Sequence, residues 1–119
     1  MSKYANAGEL KTPVFFKRVD YMVDPNTEVN VFGVNENGED VPVWCKWVNA
    51  HGSDVWTALQ MKLRNPATLT VRYHRLIDDA RLILYRADDP KPYEVMSIDN
   101  VGQRDVWLEI NVQRFAAAR

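Results

Sequence analysis

Apolar and polar positions alternate through most of this chain, most cleanly toward its C-terminal end. Val106, Leu108, Ile110 and Val112 alternate with Trp107, Glu109, Asn111 and Gln113, the period of a strand buried on one face. Leu69, Val71 and Tyr73 alternate with Thr68, Thr70, Arg72 and His74 in the same way, which predicts a strand over 67–75. Between these two lie shorter strands, over 81–87 with Leu82 and Leu84 facing inward, and over 93–99. Asp78-Asp79, the run Asp88-Asp89-Pro90-Lys91-Pro92 and residues 100–103 supply the turns.

The first half is less regular. Residues 1–11 read as a loose arm or one poor helical turn, and 12–20 as a strand, with Pro13 tolerated only near its start or on an edge. Asp24-Pro25-Asn26 is turn chemistry. Beyond it, Val29, Val31 and Val34 lead into Asn37-Gly38, a strong hairpin pair, so a hairpin is predicted there with 41–49 as its returning arm. In that arm Val43, Cys45 and Trp47 share one face and Trp44, Lys46 and Val48 the other. Glu36 and Glu39 flank the turn, where like charges directly across a ladder are unfavourable.

Over 50–66 the period lengthens. Val55, Trp56, Leu59 and Leu63 fall on one helical face, with Ser53 as the cap and Pro66 as the stop, which predicts one short helix. The fold class is therefore mainly β: a small antiparallel β-barrel or sandwich of six to seven strands with one short helix. At 119 residues with 46% hydrophobic content, the whole chain, 1–119, fits a single domain that closes its own core.

Charge changes this picture locally rather than globally. The 15 Lys and Arg against 16 Asp and Glu leave a net charge of −1, giving no overall attraction for nucleic acid or an anionic membrane. Residues 21–42, however, hold Asp24, Glu28, Glu36, Glu39 and Asp40 and no basic residue. No stretch is apolar for the roughly 18 residues of a membrane span. Residues 1–10 are polar where a secretory leader would be apolar, so synthesis in a cytoplasm is expected.

No constellation of residues carries chemistry. Cys45, His51 and His74 are the soft ligand candidates, and none stands at a metal-site spacing. Asp78-Asp79, Asp88-Asp89 and Glu39-Asp40 sit in turns, where Asp is favoured for backbone reasons. The five glycines are scattered and make no phosphate-cradling loop. The expectation is a protein that is not an enzyme and needs no cofactor or metal. Trp44, Trp56 and Trp107 fall opposite to, or at the margin of, the core stripe, which fits either a protein interface or cover by the helix of the same chain.

The order of these pieces resembles the phage head-tail joining family, also called head closure or stopper proteins, of long-tailed bacteriophages. The resemblance rests on Gly8-Glu9-Leu10 before the first strand, the polar hairpin with Asn37-Gly38, and the strand Val43-Trp44-Cys45-Lys46-Trp47-Val48. It continues in Thr68-Leu69-Thr70-Val71-Arg72-Tyr73, and in the pair Arg81-Leu82-Ile83-Leu84-Tyr85 and Tyr93-Glu94-Val95-Met96-Ser97-Ile98, followed by Leu108-Glu109-Ile110. Cys45-Lys46 departs from the small residue and acid usual after that Trp, and the turn 88–92 is longer than in many members.

The resemblance implies a virion protein of the phage neck, made in the host bacterial cytoplasm and assembled as a homo-oligomeric ring of about twelve or six subunits. Its implied partners are portal and adaptor proteins, a tail terminator or tail completion protein, and packaged double-stranded DNA in the channel, with no membrane. The candidate protein-interface residues are Trp44, Trp47, Trp56, Glu36, Asn37, Gly38 and Glu39, on the strand, the hairpin within 21–41 and the loop-helix 50–66. The candidate channel-facing residues are His51, Lys62 and Arg64. The alternatives are another ring of the neck or tail, such as a tail terminator or adaptor, or a small barrel binding single-stranded nucleic acid, which lacks a basic groove here.

Overall fold

The computed structural model of the chain describes residues 7–20, 22–49, 65–78 and 81–115. Among them seven strands form: β1 (Thr12–Val19), β2 (Glu28–Asn30), β3 (Val43–Asn49), β4 (Ala67–Arg72), β5 (Ile83–Arg86), β6 (Tyr93–Asn100) and β7 (Trp107–Arg114). All pairings are antiparallel, in the order β2-β1-β3-β4-β7-β6-β5, and β5 returns to pair with β1 from Val14–Arg86 to Lys17–Ile83. Six strands thus close a barrel, the form that leaves no open sheet edge, and β2 rides on β1 as an extra strand.

The inward stripe is the one that the alternation predicts. Val14, Phe16, Leu69, Val71, Leu84, Leu108, Ile110 and Val112 are all fully or almost fully buried and fill the barrel. Each such side chain contributes about 1.5–3 kcal/mol when taken out of water. Cys45 joins them from β3 as a small apolar filler, its thiol pushed up to about 12 by burial. Between Val95 and Ser97 the ladder of β6 slips by one residue at Met96, a β-bulge that adds the bend a small barrel needs.

Strand alternation sorts the connections into two ends. β1 begins at what is here termed the proximal end, together with the turn 87–92; β1 finishes at the distal end, with the connections 20–27, 73–82 and 101–106, while 31–42 joins β2 to β3, both antiparallel to β1, beside the middle of β1. After β4 the chain drops Ile77, 3% exposed, into the core. In the 101–106 turn Gly102, Gln103 and Asp105 all have positive φ, and a reciprocal pair holds them: Asn100 Nδ2 donates to Asp105 Oδ1 at 2.7 Å and the Asp105 amide to Asn100 Oδ1 at 3.1 Å.

Several expectations are corrected. The Asn37-Gly38 turn is present, with Gly38 at φ 79°, but a single Val34–Asp40 bridge closes it. Its arms go elsewhere: β2 pairs with β1 at Lys17–Val19, and β3 pairs with β1 at Thr12–Val14 and then with β4. Glu36 and Glu39 do not oppose each other, because Asn35 donates to the Glu39 carbonyl across the turn. The longer hairpin is β1–β2, reversing through 20–27. The strand expected over 67–75 ends at Arg72, since His74 accepts the Leu76 amide on its Nδ1 and starts a turn. Val106 is 52% exposed and precedes β7; its carbonyl accepts the Tyr73 amide at 2.9 Å. The helix expected over 50–66 falls on residues 50–64, which lie outside the described residues, as do 1–6 of the arm and the tail 116–119.

Candidate interaction surfaces

Three surfaces on this barrel differ in chemistry. At the proximal end two rings meet between two guanidinium groups. Arg86 lies over the Trp47 indole at 4.9 Å, Trp47 meets Tyr93 edge to face at 5.0 Å, and Arg114 lies over Tyr93 at 4.1 Å. The turn 87–92 supplies the counter-charges: Asp88 takes two hydrogen bonds from Arg86, at 3.0 and 2.8 Å, and Asp89 pairs with Arg114. Arg114 also donates to the Lys91 carbonyl at 2.8 Å, and the Trp47 indole N–H to Asn49 Oδ1 at 2.8 Å. A planar cation stacked on a ring and forked onto a carboxylate uses both properties of guanidinium. Trp47, a candidate interface residue, is thereby engaged within its own chain, half-buried against the core.

The Arg114 hydrogen bond, with the Lys91 amide behind it, holds the Asp89 carboxyl below its ordinary value of 3.8. A carboxyl lowered on folding stabilises the fold above its unfolded value and loses that contribution as the pH falls through the folded one. The expected result is that an Asp89→Asn variant is less stable than wild type at about pH 6, and that the gap narrows toward about pH 3. Urea midpoints at the two pH values check this, and a gap unchanged with pH would remove the pair from the account.

The acidic segment, from the distal tip to the loop 31–42 beside β1, is a built structure. Asp20 accepts the amides of Val23 and Asp24 on its carbonyl, both at 3.1 Å, and the Met22 amide on Oδ1. Asp24 accepts the Asn26 amide at 2.7 Å and the Thr27 hydroxyl at 2.6 Å, which lower its pKa, the hydroxyl most. Glu28 accepts the Tyr85 hydroxyl at 2.8 Å, and Asp40 pairs with Lys17 at 3.2 Å. Three of the five acids in 21–42 therefore brace the loops, and Asn30 Nδ2 on the Val41 carbonyl ties loop 31–42 to the β1–β2 ribbon. What these braces hold outward is apolar as well as acidic: Met22 is 94% exposed, and Val23 and Val34 are also exposed, beside Glu36 and Glu39.

The third surface is the outer wall of β3, β4 and β7. Strand register sets Trp44, Arg72 and Trp107 in one row that continues to Pro13 at the start of β1, with Arg72 stacked over Trp107 at 5.5 Å and Trp44 half exposed. Below them Thr68 donates to Asn111 and Asn111 to Ser97, a polar ladder across three strands. The sequence singles out Trp44 and Trp107 separately; only the register joins them through Arg72.

Comparison with known proteins decides the family. The family model described as phage head completion protein matches residues 6–114, nearly the whole chain. The chain belongs to the phage head completion protein family. That family is one of structural virion proteins, in agreement with the expected head-closure resemblance. No curated protein and no solved structure matches the chain.

In this head completion protein the candidate interface residues separate. Glu36, Asn37, Gly38 and Glu39 form one exposed turn, Trp44 lies on the outer wall, and Trp47 lies in the proximal stack. Trp56, His51, Lys62 and Arg64 lie outside the described residues. Met22 and Val23 stand out only in the structure; an apolar pair directly before Asp24-Pro25-Asn26 was the available hint. Among the described residues no three of His, Cys, Asp and Glu come together as a metal site, and no helix is long and apolar enough to cross a membrane. His74 is exposed and packs its ring edge on Phe32 at 4.8 Å.

Proposed function

We propose that this protein is a neck subunit that assembles as a homo-oligomeric ring at the capsid vertex, closes the filled head, helps retain the packaged DNA and joins head to tail. Membership in the phage head completion family carries the reading, and the barrel supports it by bearing a different surface at each end. A ring that bridges a portal or adaptor on one side and a tail terminator or tail completion protein on the other needs two unlike docking faces. The proximal stack of arginines and aromatics and the distal acidic, apolar loops meet that need. Acidic loops also suit a channel through which duplex DNA slides, since phosphate contacts there must be weak.

Purified protein added to tailless, DNA-filled capsids is expected to bind them and stop DNA leakage. Failure to bind those capsids would overturn the proposal. Tight binding to free oligonucleotide with a steep salt dependence would instead support the single-stranded nucleic-acid module.

A further inference from the structure

Residues 33–39, the outer part of the loop 31–42, are all exposed, so little is buried to hold the turn there. Hydrogen bonds facing water close it instead. The Gly38 amide donates to the Asn35 carbonyl at 3.0 Å and the Asn35 amide to the Glu39 carbonyl at 2.8 Å, while Asn35 Oδ1 accepts the amides of Asn37 and Glu39 at 2.9 and 3.0 Å. Beneath them the ladder is the single Val34–Asp40 bridge. A segment held by exposed hydrogen bonds without a buried apolar contact opens locally, at a free energy far below that of global unfolding. This turn contains Asn37-Gly38, the single Asn-Gly pair of the chain.

An asparagine carboxamide can be attacked at Cγ by the main-chain nitrogen of the following residue. The attack needs a carboxamide free to turn and a following nitrogen that carries a proton and is not screened. The carboxamides of Asn30, Asn35, Asn49, Asn100 and Asn111 are all held by hydrogen bonds. Those of Asn26, Asn37 and Asn65 have no such partner among the described residues. Asn65 precedes Pro66, which has no N–H, and Asn26 precedes Thr27, whose branched side chain crowds its own amide. Asn37 precedes a glycine, and nothing lies within 4 Å of the place where a Cβ on Gly38 would stand, so that nitrogen is open to approach.

We propose that Asn37-Gly38 is a site of spontaneous deamidation, at which the protein converts with time to aspartate and isoaspartate. In the opened turn the Gly38 nitrogen loses its proton to hydroxide and attacks Asn37 Cγ. The new N–Cγ bond closes a succinimide ring, the Cγ–Nδ2 bond breaks, and the leaving nitrogen takes a proton from water and departs as ammonia. Water then opens the ring. Addition at Cγ gives aspartate; addition at the main-chain carbonyl of residue 37 gives isoaspartate, whose backbone runs through Cβ and Cγ and is longer by a carbon. No oxidant or reductant takes part. Either product sets a further carboxylate between Glu36 and Glu39, and the added carbon of isoaspartate moves the Gly38 amide away from the Asn35 carbonyl. The site stands whether or not the subunits form a ring, but it changes one of the surfaces that an unassembled subunit offers to a neighbour.

Ageing the folded, full-length chain at mildly alkaline pH tests this. The expected result is an acidic band that grows on isoelectric focusing, with the new acid mapped by peptide mass spectrometry to position 37 and part of it labelled by an isoaspartyl methyltransferase. Asn100 and Asn111 are expected to keep their amides. Because the turn opens locally, conversion in the folded chain is expected within about tenfold of the rate in the guanidinium-denatured chain. Asn37→Gln, which keeps the charge at an exposed position, is expected to lose the band and retain the thermal midpoint. Conversion of the denatured chain but not of the folded one would show that the Asn35 hydrogen bonds shield the site, and would overturn the proposal. An acidic band that persists in Asn37→Gln would overturn it as well.

Discussion

Replacing Phe16 with Ala is expected to lower the unfolding free energy by about 3–5 kcal/mol, the cost of deleting a large aromatic side chain from a close-packed core. Phe16 has no exposed surface, pairs with Leu84 of β5 across the seam that closes the barrel, and meets Phe32 edge to face at 6.4 Å. Its carbonyl accepts the Val31 amide at 2.9 Å, so the same residue fixes the start of loop 31–42. A domain of this size has only about 5–15 kcal/mol in total, so the variant would be marginal. Phe16→Leu, which keeps most of the volume, should cost under about 1.5 kcal/mol. Urea titration checks both through a shifted midpoint at constant slope. A loss below about 1 kcal/mol for the Ala variant would mean that the closing seam is not organised around this ring.

The seam also marks where sequence reasoning reaches its limit. The stripes of β4 and β7 are legible because a strand with one buried face must alternate, and Leu69, Val71, Leu108, Ile110 and Val112 do so without interruption. The choice between barrel and sandwich is not legible. It depends on β1 pairing with β5 across more than half of the chain, Val14 with Arg86 and Lys17 with Ile83, and such a pairing leaves no local trace. The Asn37-Gly38 pair correctly marks a chain reversal, since only a left-handed glycine suits that turn, yet turn chemistry says nothing of how far the arms stay paired. β2 is three residues long with no buried position, too short to show a period. For that reason the β1–β2 ribbon, and with it the exposure of Met22 and Val23, emerges only from the structure.

The candidate surfaces follow the same logic. The acid excess of 21–42 can be counted in the sequence, but the division of labour within it cannot. Asp24, Glu28 and Asp40 are consumed by Thr27, Tyr85 and Lys17, partners up to 57 residues away. Glu36 and Glu39 are left exposed at the tip of the turn. Likewise, alternation assigns Trp44 and Trp47 to opposite faces of β3 without saying which face is covered by what.

That assignment leads to opposite outcomes for two neighbouring tryptophans. Trp47→Ala is expected to destabilise the isolated protein by about 2–3 kcal/mol, somewhat below the cost of a fully buried Trp because the ring is only half-buried. The substitution removes the edge-to-face contact with Tyr93, leaves Arg86 without the ring it covers, and deletes the hydrogen bond to Asn49. Trp44→Ala, three residues earlier in β3, should cost only about 1 kcal/mol or less, because 52% of that residue already faces water. Denaturation of the two variants side by side checks the contrast. Equal losses would show that the outer wall is braced as firmly as the proximal stack. With the contrast observed, a defect of Trp44→Ala in capsid binding is a defect of contact, whereas the same defect in Trp47→Ala must first be corrected for the fraction of protein that is unfolded.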